Sequence, residues 1–561
     1  MQSMRISISL MALILSVIGG FAAEVDSERL NNAAKEPRNW LTYGGNYAAW
    51  RYSALDQINR DNIGKIAPVW SFQTGVVDGG LQCTPIVVDG VMYITSAWNR
   101  VFAINAATGE EIWHYFHPKP EAFPATYGTW NRGVAVANGL VFMGTIDNYL
   151  VALDAKTGRE VWKVEIEDAG QCGCSITGAP LVVKDKVIVG VTGGDSAHRG
   201  YLNAFDAKTG RHAWRFWTIP GPGEPGHETW KGDSWKYGGG STWLTGSYDP
   251  ELNLLYWGVG NPAADFYGES RRGDNLYTES TVALDPDTGE LKWHYQQVPY
   301  DVWDFDSAYE LTLLDLEYKG RKRKLIVTPH KSGYTWVLDR TNGEFINAWP
   351  LVESSNWIVG IDEQGKLIGR NEPEVDKTKV ICPSIGGGRS WNHGAYYPKT
   401  GWLYSTGIEW CQEVTAHREA PREGRLFFGG SFQLTQPLKG EAHGHLGAYD
   451  PITGKRHWLY KSKYPLLASQ LATAGDLLFT GDATGKFFAL DTANGKELWS
   501  FRTGSGHRGS PISYSVNGRQ YIATPSGWGS ALAGLLPQIW PETEDFVSGS
   551  TLFVFALPEA E

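Results

Sequence analysis

One pattern recurs along this chain and limits what it can become: Ala-x-Asp-x-x-Thr-Gly-x-x-x-Trp. It runs from Ala103 to Trp113 with Asn105 in place of Asp, and again from Ala152 to Trp162, Ala204 to Trp214, Ala283 to Trp293 and Ala448 to Trp458. Ala489 to Trp499 carries Asn-Gly for Thr-Gly, Val337 to Gly343 is a degenerate copy, and Trp70 ends a related segment before the first full copy. Each copy reads as a hairpin: an apolar strand, a turn made by Asp and Thr-Gly, and a second strand ending on tryptophan. Short strands between copies, such as Leu181 to Val191 and Leu477 to Gly481, complete units of about four strands. A single sheet of that size cannot bury both faces, but stacking units around an axis does. Starts separated by about 40 to 110 residues predict an all-β propeller of about seven or eight blades. The closing strand is expected at Thr551 to Leu557, pairing with N-terminal strands so that no edge stays open. No linker-like stretch divides the chain, so residues 23–561 are expected to form one domain.

The 67 glycines and 25 tryptophans fit many tight turns and a repeated aromatic packing device. Net charge is −11, and the only basic run, Arg321 to Lys324, reads as a hairpin tip, which argues against nucleic acid as a partner. An acidic surface can steer a basic partner such as a small electron carrier. Residues 1–22 read as a secretory signal, with Arg5 as the positive region, an apolar core from Ile6 to Gly20 and small residues at Gly20-Phe21-Ala22. No later run is long and apolar enough for a membrane span, so a soluble, exported (periplasmic) protein is expected. Export permits disulfides among Cys83, Cys172, Cys174, Cys382 and Cys411, but five leaves one over. Cys172-Gly173-Cys174 is open to reading as a disulfide, a soft-metal pair or two thiols. There is no Cys-x-x-Cys-His, hence no covalently held haem.

Chemistry concentrates in Trp303-Asp304-Phe305-Asp306. On extended backbone Asp304 and Asp306 share a face. Two carboxylates so placed form either a solvated acidic loop or a site for a hard cation, with one of them serving as a base. Insertions at 220–243, 261–277 and 351–388 lengthen the loops where a propeller builds function.

From Asn39 onward the chain resembles the quinoprotein alcohol dehydrogenases, which use pyrroloquinoline quinone (PQQ). The resemblance rests on Asn39 to Gly45, Arg51-Tyr52-Ser53, Asn131-Arg132-Gly133, Ile176 to Pro180, Gly258 to Pro262, Trp303 to Asp306 and Ser526 to Gly529, together with repeats like that family's tryptophan-docking motifs. It implies an eight-bladed β-propeller with PQQ and a divalent or trivalent cation at the axis. The matching metal positions are Asp195, Asn261 and Asp304, with Asp306 at the place of an extra Asp in relatives resembling lanthanide enzymes. Oxygen donors of this kind suit Ca2+ or a lanthanide and not zinc. Asp195 is one methylene shorter than the Glu of many relatives. Asp304 is the implied general base for oxidation of an alcohol to an aldehyde or ketone.

The resemblance further implies that Trp243 stacks on PQQ, that Arg132 and Lys331 meet its oxygens, and that Gln82, Thr177, Thr192, Gly193, Gly194, Ser241, Asn392 and Trp528 line its site. Many relatives carry adjacent cysteines where this chain has Thr126-Tyr127, so Tyr127 or the Cys172–Cys174 segment is expected to cover the other face. Cys382 and Cys411 match a structural disulfide of the family. Leu467, where relatives often have Trp, points to a pocket for an alcohol larger than methanol. The lack of a haem domain implies a soluble cytochrome c as electron acceptor, and a homodimer is one assembly left open. The alternative reading is a non-catalytic propeller that scaffolds outer-membrane protein assembly.

Overall fold

The computed structural model describes residues 24–120 and 128–559. The expected signal segment and Tyr127 lie outside the described residues. The chain is all-β with a few short helices. The described residues form one five-stranded and seven four-stranded sheets, plus a three-stranded and a two-stranded sheet. Six of the larger sheets are antiparallel meanders of strands consecutive in sequence or interrupted by one insertion, from Ile86–Val88 through Phe345–Pro350 to Arg456–Ser462. The seventh, Leu471–Thr473 to Glu497–Arg502, adds Tyr52–Ser53 as a parallel edge. The last is built from both ends of the chain. Ala67–Gln73 pairs antiparallel with Thr551–Ala556, Trp70 opposite Val554 and Phe72 opposite Leu552.

The recurring motif explains itself in the geometry. Ala103 pairs with Trp113, Ala204 with Trp214 and Ala448 with Trp458, a small side chain opposite a large one, and each pair is followed by a register shift. The motif Asp holds the turn. Asp154 Oδ1 accepts from the backbone of Lys156 (3.1 Å) and Thr157 (2.8 Å) and from the Thr157 hydroxyl (2.7 Å). The motif Gly has φ of +70° at Gly158, and a β-carbon there would lie 2.5 Å from the Trp113 ring. The tryptophan of one sheet thus lies flat on the turn of the next.

The same contact joins Trp70 to Gly109, Trp162 to Gly210, Trp214 to Gly289, Trp293 to Gly343, Trp349 to Gly454 and Trp458 to Gly495. Indole N–H groups add hydrogen bonds across the joints, Trp113 to the Ala155 carbonyl (3.0 Å) and Trp214 to that of Pro286 (3.0 Å). Trp499 meets Phe555 edge-on at 5.3 Å, and Tyr514 donates to the Ala106 carbonyl at 2.7 Å, so the succession returns to its beginning.

Truncating Trp214, buried against Gly289, removes both the ring and its hydrogen bond. Trp214→Ala is expected to cost about 3–5 kcal/mol, read from urea unfolding of the full chain.

Candidate active site

In an antiparallel meander the start of the first strand and the end of the second lie at the same end of the sheet. The expected site residues occupy those two positions. Gln82, Arg132, Thr177, Trp243 and Asn392 precede first strands beginning at Ile86, Ala135, Leu181, Ser247 and Ala395. Asp195, Asn261 and Lys331 follow second strands ending at Gly190, Val259 and Pro329. Two adjoining cavities open there, of about 310 and about 140 Å³, sharing Arg132, Asp195, Trp243 and Asp306.

The Trp303-Asp304-Phe305-Asp306 stretch is irregular loop and not the expected extended strand, yet its side chains still sort by face. Trp303 and Phe305 are fully buried and stack at 5.6 Å, with Trp357 edge-on to both. Asp304 and Asp306 therefore face the cavity. Asp301 shapes the segment by accepting from the backbone N–H of Trp303 and Phe305, both at 3.0 Å. Asp304 itself sits at φ +64°, a conformation that costs energy for a residue with a β-carbon.

Asp195, Asp265 and Asp304 each bring a carboxylate oxygen to within 4.8 Å of the others. Asn261 Nδ2 donates to Asp195 Oδ1 at 3.0 Å and to Asp265 Oδ1 at 2.9 Å. Lys331 Nζ bridges Asp304 Oδ2 (3.0 Å) and Asp306 Oδ2 (3.2 Å). Asp306 Oδ1 accepts from the Trp243 indole at 3.1 Å. Asp306, expected as the residue that chooses the ion, thus has both oxygens engaged by Lys331 and Trp243, and the third member of the carboxylate cluster is Asp265. Behind the cage the buried Arg271 ties its two backbone segments together: its guanidinium donates to the carbonyls of Ala264 (2.8 Å) and Asp301.

Electrostatics record the crowding. Burial and the Asp306 charge push the Asp195 carboxyl up to about 6. Burial, then the charges of Asp195 and Asp304, hold Asp265 well above the usual carboxylate range. Burial likewise raises Asp304, against the opposing pull of Lys331. Lys331 is held well above its usual value because Asp304 and Asp306 outweigh its desolvation.

On the other wall the charges are positive. The Arg132 guanidinium lies 4.9 Å from the Trp243 ring and 4.5 Å from Trp391, and it donates to the Thr177 hydroxyl at 2.5 Å. Arg508 lies 5.3 Å from Trp391 and donates to Asn392 Oδ1 at 3.2 Å. Burial lowers these guanidinium groups to about 10 and about 9 respectively. Unspent groups separate by type: among the described residues Arg132 Nε and Arg508 Nε lack acceptors on one wall, while Asn261 Oδ1, Asp265 Oδ2 and Asp304 Oδ1 lack donors on the other. A buried polar atom without a partner carries a cost. This donor and acceptor set fits an anionic ligand beside a cation, and so fits PQQ, a tricarboxylate, with a hard metal ion.

Gln82 lines the larger cavity and donates to the Gly79 (3.2 Å) and Gly529 (3.1 Å) carbonyls, leaving its own oxygen unpartnered. Thr192, Gly193, Gly194 and Ser241 line the smaller one. Asn392 is a layer behind, bonded to Arg508, and Trp528 is buried beside Gly506 and Phe546, off both cavity walls. Cys172 and Cys174 form a disulfide, as do Cys382 and Cys411. A β-carbon on Gly193 would lie 3.5 Å from the Cys174 β-carbon, so the first bridge backs directly onto the smaller cavity. Cys83 is a buried thiol, pushed up to about 12 by burial.

The sequence reading did not find Asp265, Trp391, Arg508 or Tyr309. Arg508 precedes the strand at Ile512, the position other site residues share, and that signal would have found it. Asp265 lies in the insertion after Asn261 and answers to no repeat.

The family model for the PQQ glucose/ethanol/alcohol dehydrogenase β-propeller domain matches residues 40–356 and 460–522. The chain belongs to this family. It is 37% identical over 580 residues to the quinoprotein alcohol dehydrogenase PedH of Pseudomonas putida, covering 99% of this chain and 96% of that relative. It is 38% identical over 524 residues to a quinohemoprotein alcohol dehydrogenase of Comamonas testosteroni, covering 89% of this chain and 74% of the relative. A europium-containing methanol dehydrogenase superimposes with a TM-score of 0.89 at 34% identity, over 94% of this chain and all of that one. The protein is accordingly a β-propeller enzyme, a PQQ-dependent alcohol dehydrogenase.

The raised carboxylates set a sign for stability. A carboxyl whose folded pKa exceeds its unfolded value favours the fold while protonated, and that contribution is lost as pH rises through the folded pKa. In the metal-free, PQQ-free protein Asp195 therefore contributes a loss of stability between pH 4 and 7, opposed by the buried His330, His445 and His507, whose values burial lowers to about 3, 3 and 4 and which favour the fold as pH rises. Asp195→Asn should remove on the order of 1–3 kcal/mol of that loss, measured as the difference in urea unfolding free energy across the range.

Proposed function

We propose that the protein is a periplasmic dehydrogenase that oxidises an alcohol to an aldehyde or ketone and hands the electrons to a separate cytochrome c. Asp195, Asn261 and Asp304 hold the cation, Ca2+ or a lanthanide. Arg132, Arg508 and Lys331 supply positive charge for the three PQQ carboxylates, and Trp243 and Trp391 supply aromatic faces. Held there, PQQ would supply a hydride acceptor and the ion a Lewis acid. Asp304 Oδ1 carries the reading: it is a buried carboxylate oxygen without a hydrogen-bond donor, on a group whose proton affinity burial has raised. Such an oxygen takes the alcohol proton, while Lys331 on Oδ2 fixes the carboxylate plane. Asp306 orients both Lys331 and Trp243.

Eight sheets docked by tryptophan contacts support an eight-bladed ring that places these loops around one axis. The europium-containing methanol dehydrogenase supports a lanthanide in this site. Val25 and Leu30 are buried and Asp26 caps a short helix, which supports a mature chain beginning near residue 23. The −11 net charge supports a separate, basic electron acceptor. A non-catalytic scaffold has no use for three buried carboxylates facing buried arginines, whose separation costs stability.

Asp304→Asn is expected to lower alcohol-dependent dye reduction by 10²- to 10⁴-fold with PQQ absorbance retained after desalting. A loss of less than tenfold would remove Asp304 as the base. Protein recovered from the periplasm should begin at Ala23 by N-terminal sequencing.

A further inference from the structure

Asp265 is the residue of the carboxylate cage that the metal positions named above do not include. It is fully buried. One of its oxygens accepts from Asn261 Nδ2 at 2.9 Å, and the other has no partner among the described residues. Asn261 Oδ1, also fully buried, is unpartnered as well. Three carboxylates converging to within 4.8 Å would repel strongly at this depth. The group now lying between Asp195 and Asp265 is the positive edge of an amide, the Asn261 NH2, which is where a cation relieves that repulsion best. An amide turned over would present its oxygen to the same spot, leaving its donor edge for the unpartnered Ser241 hydroxyl, which lies on the other side of Asn261 beside Gly194.

We propose that Asp265 is a direct ligand of the metal ion and that its charge makes the site selective for a trivalent over a divalent cation. This rests on the metal-dependent reading of the same site. The charge count carries it. Asp195, Asp265, Asp304 and Asp306 bring four negative charges, and Lys331, in contact with two of them, returns one. Arg271 is committed to the carbonyls of Ala264 and Asp301 and to Asn275, so its charge reaches Asp265 without an ion pair to any cage carboxylate among the described residues. Three uncompensated charges match a lanthanide, whereas Ca2+ leaves one unpaired in a site with little water to screen it. Anionic oxygens in this number are the ligands a hard cation prefers.

The test reads metal binding without turnover. Full-length protein freed of metal with a chelator is titrated with Tb3+, whose luminescence the nearby Trp243 sensitises, and with Ca2+ in competition. Wild type should hold one Tb3+ per chain, at least a hundredfold more tightly than Ca2+. Asp265→Asn should weaken Tb3+ about 10- to 100-fold and Ca2+ far less, and Eu3+ lifetimes in H2O and D2O should report about one more bound water in the variant. If near-UV circular dichroism shows that Asn alters the fold, Asp265→Ser removes the charge with a smaller side chain and the same measurements apply. Unchanged Tb3+ affinity and hydration in the variant, or wild type holding Ca2+ as tightly as Tb3+, would overturn the proposal. PQQ uptake and alcohol oxidation are scored separately: their loss with selective lanthanide binding intact removes the dehydrogenase reading and leaves the role of Asp265 standing.

Discussion

Everything at the axis depends on the ladder between Ala67–Gln73 and Thr551–Ala556. The cage and the cationic wall are made from loops spread between Gln82 and Arg508, and no two neighbouring sheets contain enough of them to form a site. Only a closed circuit brings them to one place. The ladder also removes the open edges that would otherwise invite pairing with other chains. Its apolar side is continuous with the core, Phe555 stacking on Phe487 at 5.7 Å and meeting Phe501 edge-on at 5.2 Å, so closure is driven by burial as well as by hydrogen bonds.

The site pays for function with stability. Carboxylates and guanidinium groups are both buried, but on opposite walls, with Lys331 as the single bridging ion pair to the acidic side. Pairing them directly would be cheaper and would leave nothing for an anion and a cation to bind. The unpartnered atoms are divided in the same way, acceptors around Asn261 and donors at Arg132 and Arg508. The structure is therefore complementary to a neutralising pair of ligands.

Much of this was legible in the residues. The Asp and Thr-Gly of each repeat encode a local turn, and the Ala-to-Trp spacing encodes a local pairing, so both survive reading one segment at a time. The shared facing of Asp304 and Asp306 agrees with what an extended strand would give, although the segment is a loop with Asp304 at φ +64°. What each carboxylate touches was not legible, because that depends on Lys331 and Trp243, brought in from other sheets. Asp265 escaped because it belongs to an irregular insertion with no period, and its neighbours Asp195 and Asp304 are distant in sequence. Trp391 was hidden for a different reason: among 25 tryptophans, composition gives no cue to the one that faces inward, whereas Arg508 stands at the place before a first strand that other site residues share.

The Arg271 brace has a mechanical consequence. One planar, fully buried group grips the backbone beside Asp265 and the backbone beside Asp304, through the carbonyls of Ala264 and Asp301. The two carboxylates therefore cannot close on a small ion or spread around a large one independently. For the trivalent ion proposed above, the cage would then act as a gauge whose width Arg271 helps to set, favouring some radii of the lanthanide series over others.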